Sequence, residues 1–229
     1  MFGVGMRLIM VGCEYSGVAT LSQAILRWSI ESMGAFLNLP EEYRIHDHFR
    51  IPEIGHPPSL SEEEHDQINN LSPRLKEMIQ RWNVFYHIPW APARNDVIYI
   101  GLYFEDNVYG PLYFDYIKGL GPDNPIMQTR NQFDTWMAQN SPEMILVHVK
   151  SSPDQIRSRM KSNPHAEELL KDKDIEYVLD RFQQEVDKSI IKNKIVLDTT
   201  NISVEQSLEE FKIKVDPFLT EYDISRMKN

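Results

Sequence analysis

The chain has 229 residues, of which 41% are hydrophobic, and this is enough for one sizeable folded core. Acidic residues outnumber basic residues by 34 to 24, which gives a formal net charge of −10. Because no basic stripe opposes this charge locally, we expect no nucleic-acid partner, although a small anion could still bind in a local pocket.

Cysteine content and apolar runs limit the cellular setting of the chain. The only cysteine is Cys13, so neither an internal disulfide nor a cysteine-based zinc cluster can form. No apolar run approaches the length of about 18 residues that a membrane-spanning helix needs, and the N-terminal run is too short for a signal-peptide core. We therefore expect a cytoplasmic protein without a membrane partner.

Strand-like and helix-like segments alternate along the chain, which favours an α/β fold with a parallel sheet covered on both faces. Runs rich in Val, Ile and Leu predict strands at 7–11, 96–102, 144–149 and 194–199, and a weaker one at 43–49. Ser61, Ser152 and Ser203 are predicted N-caps of helices, since Glu64, Pro153 and Gln206 follow at favourable positions. Residues 50–61 and 119–127, rich in Pro, Gly or Ser, predict loops.

The first predicted strand is followed by the pattern G-x-x-x-x-G, formed by Gly12 and Gly17. Such a loop, leading into a helix, surrounds a small cavity with backbone N–H groups and suits a phosphate. The full motif continues with a lysine for the β and γ phosphates and a Ser or Thr for Mg²⁺, but this chain has Val18 and Ala19. Thr20 offers a hydroxyl one position later, and the alternative is that the glycines form only a tight turn.

Three segments of the chain resemble parts of one protein family. Two are C-terminal, MILVHVKSSPDQIRSRMKSNPH and DIEYVLDRFQQEVDKSIIKNKIVLDTTN, and one is central, DVIYIGLYFEDNVYGPLYFDY. The order of parts across most of the chain is similar to the P-loop nucleoside and nucleotide kinases, the group of thymidylate and adenylate kinases. This resemblance implies a three-layer α/β/α P-loop fold with a five-stranded parallel sheet. It also implies a single domain over residues 1–229, a helical lid near residues 157–175, and ATP with Mg²⁺ as cofactors.

The same resemblance assigns roles to individual residues. The cofactor site would comprise Gly12, Cys13, Glu14, Tyr15, Ser16, Gly17, Val18, Ala19 and Thr20, with Thr20 also a metal ligand. Catalytic residues would be Arg157, Arg159 and Arg181 around the transferred phosphate, and Glu105 for the acceptor or Mg²⁺. Candidates for acceptor binding are Asp47, Arg50, Asp106, Tyr109 and Arg130, with Tyr109 the first choice for stacking on a nucleobase. Residues 198–201 would flank the base of the donor.

The chain departs from the family at two chemically central places, and this leaves three functions open. Besides Val18, it has Ile100 and Gly101 where thymidylate-type kinases carry an acidic residue and an arginine. The first function is phosphoryl transfer from ATP to a small nucleoside-like or nucleotide-like acceptor, with a homodimer compatible with this interpretation. The second is that of a binding or regulatory protein that has lost catalysis. The third is sulfotransfer, because the donor loop of sulfotransferases resembles YSGVATL in this chain.

A short histidine-rich segment, His46 to His48, contains residue types that bind metals. On a strand, His46 and His48 would share one face and Asp47 would point to the other. The three side chains would then not converge on one ion, so we do not expect a metal centre here. The acceptor contact of Asp47 is what the resemblance to the kinase family implies.

Overall fold

A computed structural model of the chain describes residues 4–37, 44–47, 61–88, 96–115, 125–165 and 168–227. Within these ranges, the strands are β1 (Arg7–Val11), β2 (Ile45–Asp47), β3 (Val97–Ile100), β4 (Ile145–Lys150) and β5 (Asn193–Asp198). The helices are α1 (Val18–Met33), α2 (Glu62–Asn69), α3 (Pro73–Tyr86), α4 (Leu102–Tyr113), α5 (Pro125–Asn140), α6 (Pro153–Ser162), α7 (Ile175–Lys188), α8 (Val204–Val215) and α9 (Glu221–Arg226).

The five strands form one parallel sheet in the order β2-β3-β1-β4-β5. β1 lies at the centre, where Ile9 is in register with Tyr99 of β3 on one side and with Leu146 of β4 on the other. The carboxyl ends of parallel strands share one edge of the sheet, so the segments that follow β1, β3, β4 and β5 meet there. The chain leaves β1 at the point where the strand order reverses, which is where open α/β sheets bind ligands.

Alternation along β1 divides the apolar residues into two cores, one on each face of the sheet. Ile9 and Val11 point to the face covered by α4, α5 and α7, whereas Leu8 and Met10 point to the face covered by α1 and α8. Each such side chain, when fully buried, stabilises the fold by about 1.5–3 kcal/mol. The carboxyl edge is thereby fixed by packing on both sides of its central strand.

A buried carboxylate at the opposite edge ties the ends of the chain together. Asp96 accepts hydrogen bonds from the backbone N–H groups of Met6 at 2.8 Å and Phe36 at 2.9 Å. It also accepts from both terminal nitrogens of Arg226 in α9, at 2.9 and 2.7 Å. Burial alone would lower the pKa of Arg226, but the bonds to Asp96 and Asp223 raise it, so the guanidinium stays charged. One ionic contact therefore holds the start of β1, the end of α1 and the C-terminal helix.

The parallel α/β sheet with helices on both faces is confirmed. The predicted N-caps are also confirmed, since the hydroxyls of Ser61, Ser152 and Ser203 accept from the N–H groups of Glu64, Gln155 and Gln206. The loop prediction for residues 119–127 was wrong at its end, because α5 already begins at Pro125. A proline fits the first turn of a helix, where its missing N–H costs nothing. Residues 50–60 and 119–124 lie outside the described ranges.

None of the helices in the part of the chain described is long and apolar enough to cross a membrane. A cytoplasmic location, a single domain over residues 1–229 and a homodimer stay predictions.

A buried histidine should make the stability of the fold depend on pH. His148 lies in β4, and burial, followed by the charge of Lys150, lowers its pKa from 6.5 to about 4. The unfolded chain therefore binds more protons than the folded chain between pH 4 and 6.5, so stability should rise with pH across this window by about 3 kcal/mol. Chemical denaturation at several pH values should show this rise in the native protein and not in His148→Leu. Equal slopes for the two proteins would contradict the assignment.

Candidate functional site

The loop between β1 and α1 has the backbone geometry of an anion-binding turn. Ser16 donates its N–H to the carbonyl of Cys13 at 2.9 Å, and Gly17 adopts a left-handed conformation with φ of 96°. Gly17 is the N-cap of α1, and no side chain caps this helix. The N–H groups of the first turn and the positive end of the helix therefore face the space above the loop, where they favour an anion.

Gly12 lets the loop pass very close to β4. A Cβ atom at this position would collide with the carbonyl oxygen of Val149, and it would lie 2.6 Å from the Ser16 hydroxyl. That hydroxyl is fully buried and has no hydrogen-bond partner among the described residues. Since a buried hydroxyl without a partner is costly, Ser16 is a residue whose hydrogen bond an additional group could supply.

The residues that replace the lysine and hydroxyl of the full motif, and the Thr20 that follows them, differ in burial. Val18 is buried in the core on the α1 side, where it packs with Leu21 and Ile25. Ala19 and Thr20 are exposed on the surface of α1. No group of three or more His, Cys, Asp and Glu that could hold a metal ion occurs in the described ranges.

Arg159 of α6 brings a positive charge to the loop from a distant part of the chain. One terminal nitrogen donates to the carbonyl of Tyr15 at 2.9 Å and to the Thr199 hydroxyl at 3.1 Å, and the other donates to the Thr199 carbonyl at 2.8 Å. The same guanidinium lies 3.8 Å from the position that a Cβ of Gly17 would take. All these acceptors are neutral, and Arg159 has no ion pair within the described ranges. No carboxylate of the described residues therefore balances its charge, and burial lowers its pKa.

Glu105 places a carboxylate at the end of β3, the strand where the expected acidic residue is missing. It lies in the first turn of α4 and is 1% exposed. A Cβ atom on Gly101 would overlap its carboxyl group, so this carboxyl group fills the space of a side chain at position 101. Burial raises the pKa values of Cys13 and Tyr109, and the charge of Glu105 adds a smaller effect in the same direction.

Tyr109 supports the loop from below and is fully buried in the core. Its hydroxyl accepts the backbone N–H of Glu14 at 3.1 Å, and its ring packs edge-on against Phe182 of α7. Burial raises the pKa of the neighbouring Cys13 thiol, and the hydrogen bond from Tyr109 opposes only part of this effect. In this position Tyr109 holds the loop backbone, and Cys13 is a buried neutral thiol rather than a nucleophile.

Tyr15 adopts a left-handed backbone conformation with φ of 65°, which costs a non-glycine residue about 1–2 kcal/mol. Its side chain is held by the segment after α6. The hydroxyl donates to Glu168 at 3.0 Å and accepts the N–H of His165 at 2.9 Å, and the ring stacks on His165 at 4.0 Å. These contacts stabilise the strained conformation.

Glu14 directs its carboxylate away from the loop and towards the same segment. Its two oxygens contact His165 Nδ1 at 2.7 Å and accept the N–H groups of Leu169 at 3.2 Å and Leu170 at 2.8 Å. Residues 165 and 168–170 fall within the predicted lid, and we call their contacts with Glu14 and Tyr15 the loop–lid contact. A carboxylate engaged in this way does not point at the N-terminus of α1, where it would repel a phosphate.

The structure assigns other partners to several residues that the sequence placed at the site. Arg157 pairs with Asp172 at 2.9 Å and Glu176 at 2.6 Å, and Arg181 pairs with Glu185 at 2.6 Å on its own helix. Asp106 is buried in α4. Arg50 lies outside the described residues, as do the side chains of Asp47 in β2 and Arg130 in α5. The roles predicted for these residues stay predictions.

Sequence reasoning missed two residues, His165 and Gln80, and it placed Thr199 only within residues 198–201, the segment expected to flank the base of the donor. Thr199 donates its hydroxyl to the Ser16 carbonyl at 2.7 Å and so fastens the segment after β5 to the loop. His165 belongs to the loop–lid contact. Gln80, on the buried face of α3, is 1% exposed, and its amide has no hydrogen-bond partner in the ranges described. In the sequence, only its position could have indicated Gln80. It is a polar residue that shares one side of α3 with Glu77 and Val84, which are also buried.

Comparison with solved structures relates this arrangement to known folds. The chain is similar to the YorR protein of Bacillus subtilis, solved with phosphorylated GDP, at 14% identity and a TM-score of 0.57, covering 94% of this chain and 100% of that one. It is similar to a deoxyadenosine kinase from M. mycoides with bound dATP at 16% identity and a TM-score of 0.57, over 92% and 100%. A thymidylate kinase from Ehrlichia chaffeensis matches at 14% identity and a TM-score of 0.51, over 91% and 98%.

No protein-family model matches the chain, and no curated protein sequence does. The structural similarity nevertheless covers nearly the whole chain. The chain has the three-layer α/β/α fold of P-loop kinases. Within that class, the similar structures include nucleoside and nucleotide kinases.

The loop–lid contact can be tested by removing one charge. Glu14→Gln keeps the size of the side chain but weakens the hydrogen bonds to Leu169 and Leu170, because bonds to a charged group are the stronger kind. Amide hydrogen exchange at these two residues should become at least about tenfold faster. Glu176→Gln serves as the control, since its carboxylate pairs with Arg157 and not with the loop. Unchanged protection in Glu14→Gln would show that the contact does not hold this segment.

Proposed function

We propose that the protein transfers the γ-phosphoryl group of ATP to a nucleoside or nucleotide acceptor. The observation that carries this proposal is Arg159, a guanidinium without an ion-pair partner in the described ranges, which lies against the loop at the N-terminus of α1. A cation and a set of backbone N–H groups that converge on one space favour a polyphosphate. The fold shared with nucleoside and nucleotide kinases supports the same assignment.

The phosphates of the donor would lie between the loop and Arg159. The N–H groups of the first turn of α1 and the Ser16 hydroxyl would bind phosphate oxygens, while Arg159 would supply the charge that a lysine at position 18 usually provides. Arginine suits this task because its planar guanidinium can bind two oxygens of a phosphate at once. The neutral partners of Arg159 keep it in place without cancelling its charge.

Mg²⁺ fits this site if phosphates and water provide most of its ligands. Near the loop, the described residues offer the Glu105 carboxylate and the buried Ser16 hydroxyl, whereas Thr20 is exposed on α1. Mg²⁺ commonly uses only one or two carboxylates and keeps several waters, so this small set of ligands is compatible with it. When bound, the ion would neutralise charge that develops on the phosphates.

Glu105 is the residue that would act on the acceptor. Its carboxylate occupies the end of β3, next to the loop, where it can orient an acceptor hydroxyl and accept its proton.

A second function is favoured by a specific observation, namely that Val18 is buried and Thr20 is exposed. A protein that binds the nucleotide but has lost catalysis would retain Arg159 and the loop and would need neither the lysine nor the metal-binding hydroxyl. Binding and turnover must therefore be measured separately.

Isothermal titration with ATP and Mg²⁺ tests the phosphate site. The native protein should bind, and Arg159→Gln should weaken binding by at least about tenfold, since a charge-assisted contact is lost. Arg157→Gln is the matched control, because it removes the same charge from the same helix at a position paired with Asp172 and Glu176. Arg159→Lys should recover part of the affinity. Equal effects of Arg157→Gln and Arg159→Gln, with both variants still folded, would refute the role of Arg159.

Turnover tests Glu105 and separates the two functions. With a panel of nucleosides and nucleoside monophosphates, Glu105→Gln should lower kcat by about a hundredfold, because it keeps the shape of the side chain but cannot accept a proton. Its affinity for ATP without Mg²⁺ should stay close to that of the native protein. A native protein that binds ATP without turning over any acceptor would support the non-catalytic function, and full activity in Glu105→Gln would exclude the residue from the chemistry.

A further inference from the structure

Helix α3 carries an apolar face that the described part of the fold leaves exposed. Leu75, Met78, Trp82 and Phe85 follow one another at spacings of three and four residues, so they share one side of the helix. All four are exposed, with 66% of the Trp82 surface accessible. Isolated apolar residues on a surface are ordinary, but four on one helix face form a patch that calls for an explanation.

This face is one wall of a cavity of about 520 Å³, and α5 forms the other wall through Phe133 and Trp136. The aromatic rings stand nearly perpendicular to one another. Trp82 meets Phe85 at 5.7 Å and 80°, Phe85 meets Trp136 at 5.9 Å and 84°, and Phe133 meets Trp136 at 5.7 Å and 76°. These edge-to-face contacts support one another and hold the cavity open. Its volume lies within the range of about 300–1,000 Å³ that is typical of small-molecule sites.

The charged residues of the cavity are mainly basic, although the chain as a whole is acidic. Arg74 and Arg81 line it from α3, seven residues and therefore about 10 Å apart on the same side of the helix. Among the described residues that line the cavity, Glu77 is the only acidic one. It is buried, and its carboxylate lies 3.9 Å from Arg81, too far for a strong hydrogen bond. The cavity therefore combines flat apolar walls with a net positive charge.

We infer that the cavity between α3 and α5 binds a planar aromatic molecule that carries an acidic group. The rings of Trp82, Phe85 and Trp136 would contact the flat apolar body, and Arg81 or Arg74 would bind the carboxylate, sulfonate or phosphate. An uncharged apolar molecule would leave the arginines unused, and a cation would be repelled by them. This site is separate from the loop after β1, and its existence does not depend on the proposed kinase activity.

A fluorescent aromatic sulfonate, 8-anilinonaphthalene-1-sulfonate, is a suitable probe of the full chain. It should bind saturably with one molecule per chain, and tryptophan excitation should produce energy transfer to the dye. Trp82→Ala should weaken binding by about tenfold through loss of ring contact. Arg81→Gln should weaken it several-fold and remove most of its dependence on salt, because the ionic contribution is lost.

Matched controls separate specific binding from general exposure of apolar surface. Tyr177→Ala removes another exposed aromatic residue, on α7, and should leave dye binding unchanged. Trp28→Phe removes a tryptophan that packs on Phe211 of α8, and it should also leave dye affinity unchanged. Thermal unfolding of every variant checks that the dye is not reporting a loosened core.

Two results would overturn the inference. The first is dye binding with an affinity that Trp82→Ala and Arg81→Gln both leave unchanged, in variants that unfold at the native temperature. The second is a native dimer in sedimentation experiments that Trp82→Glu converts to monomer, because a second copy of the chain would then cover this face.

Discussion

The site depends on how closely the loop after β1 passes the end of β4. Only glycine fits at position 12, because a side chain there would collide with the Val149 carbonyl. This close approach brings the Ser16 carbonyl within 2.7 Å of the Thr199 hydroxyl. The same hydroxyl accepts a hydrogen bond from Arg159. A larger residue at position 12 would separate the loop from both β4 and the segment after β5. The position of the cation at the loop therefore follows from the absence of a side chain on the first glycine.

Two charged side chains near the loop after β1 come from helices rather than from the loop itself. Arg159 of α6 lies against the loop, where the proposed function would have it replace a lysine at position 18, and Glu105 of α4 fills the space beside Gly101. Both side chains are at least partly removed from water, so their electrostatic interactions with a ligand would be stronger than at the surface. Val18 is then no longer required to carry a charge, and burying it stabilises the packing of α1 on the sheet.

The fold was largely predictable from sequence, whereas the site was only partly so. Strand positions such as Arg7–Val11 and caps such as Ser61 depend on local periodicity and on contacts three residues away, which a sequence displays directly. Arg159, by contrast, contacts Tyr15 across 144 positions, and no local pattern distinguishes it from Arg157, which is neutralised by carboxylates. Arg181 likewise pairs within its own helix. Which arginine keeps its charge available is decided by tertiary packing.

The loop and the segment after α6 are coupled because Glu14 and Tyr15 contribute to both. Tyr15 has an unfavourable backbone conformation that persists only while its surroundings hold it, and His165 and Glu168 belong to those surroundings. Glu14 holds the same segment through its carboxylate, so the shape of the loop and the position of residues 165 and 168–170 cannot vary independently. Residues 165 and 168–170 can be pictured in two states, one with the contacts to Glu14 and Tyr15 and one without them. A phosphate that binds the loop would shift the equilibrium between these states only as far as its affinity differs between them.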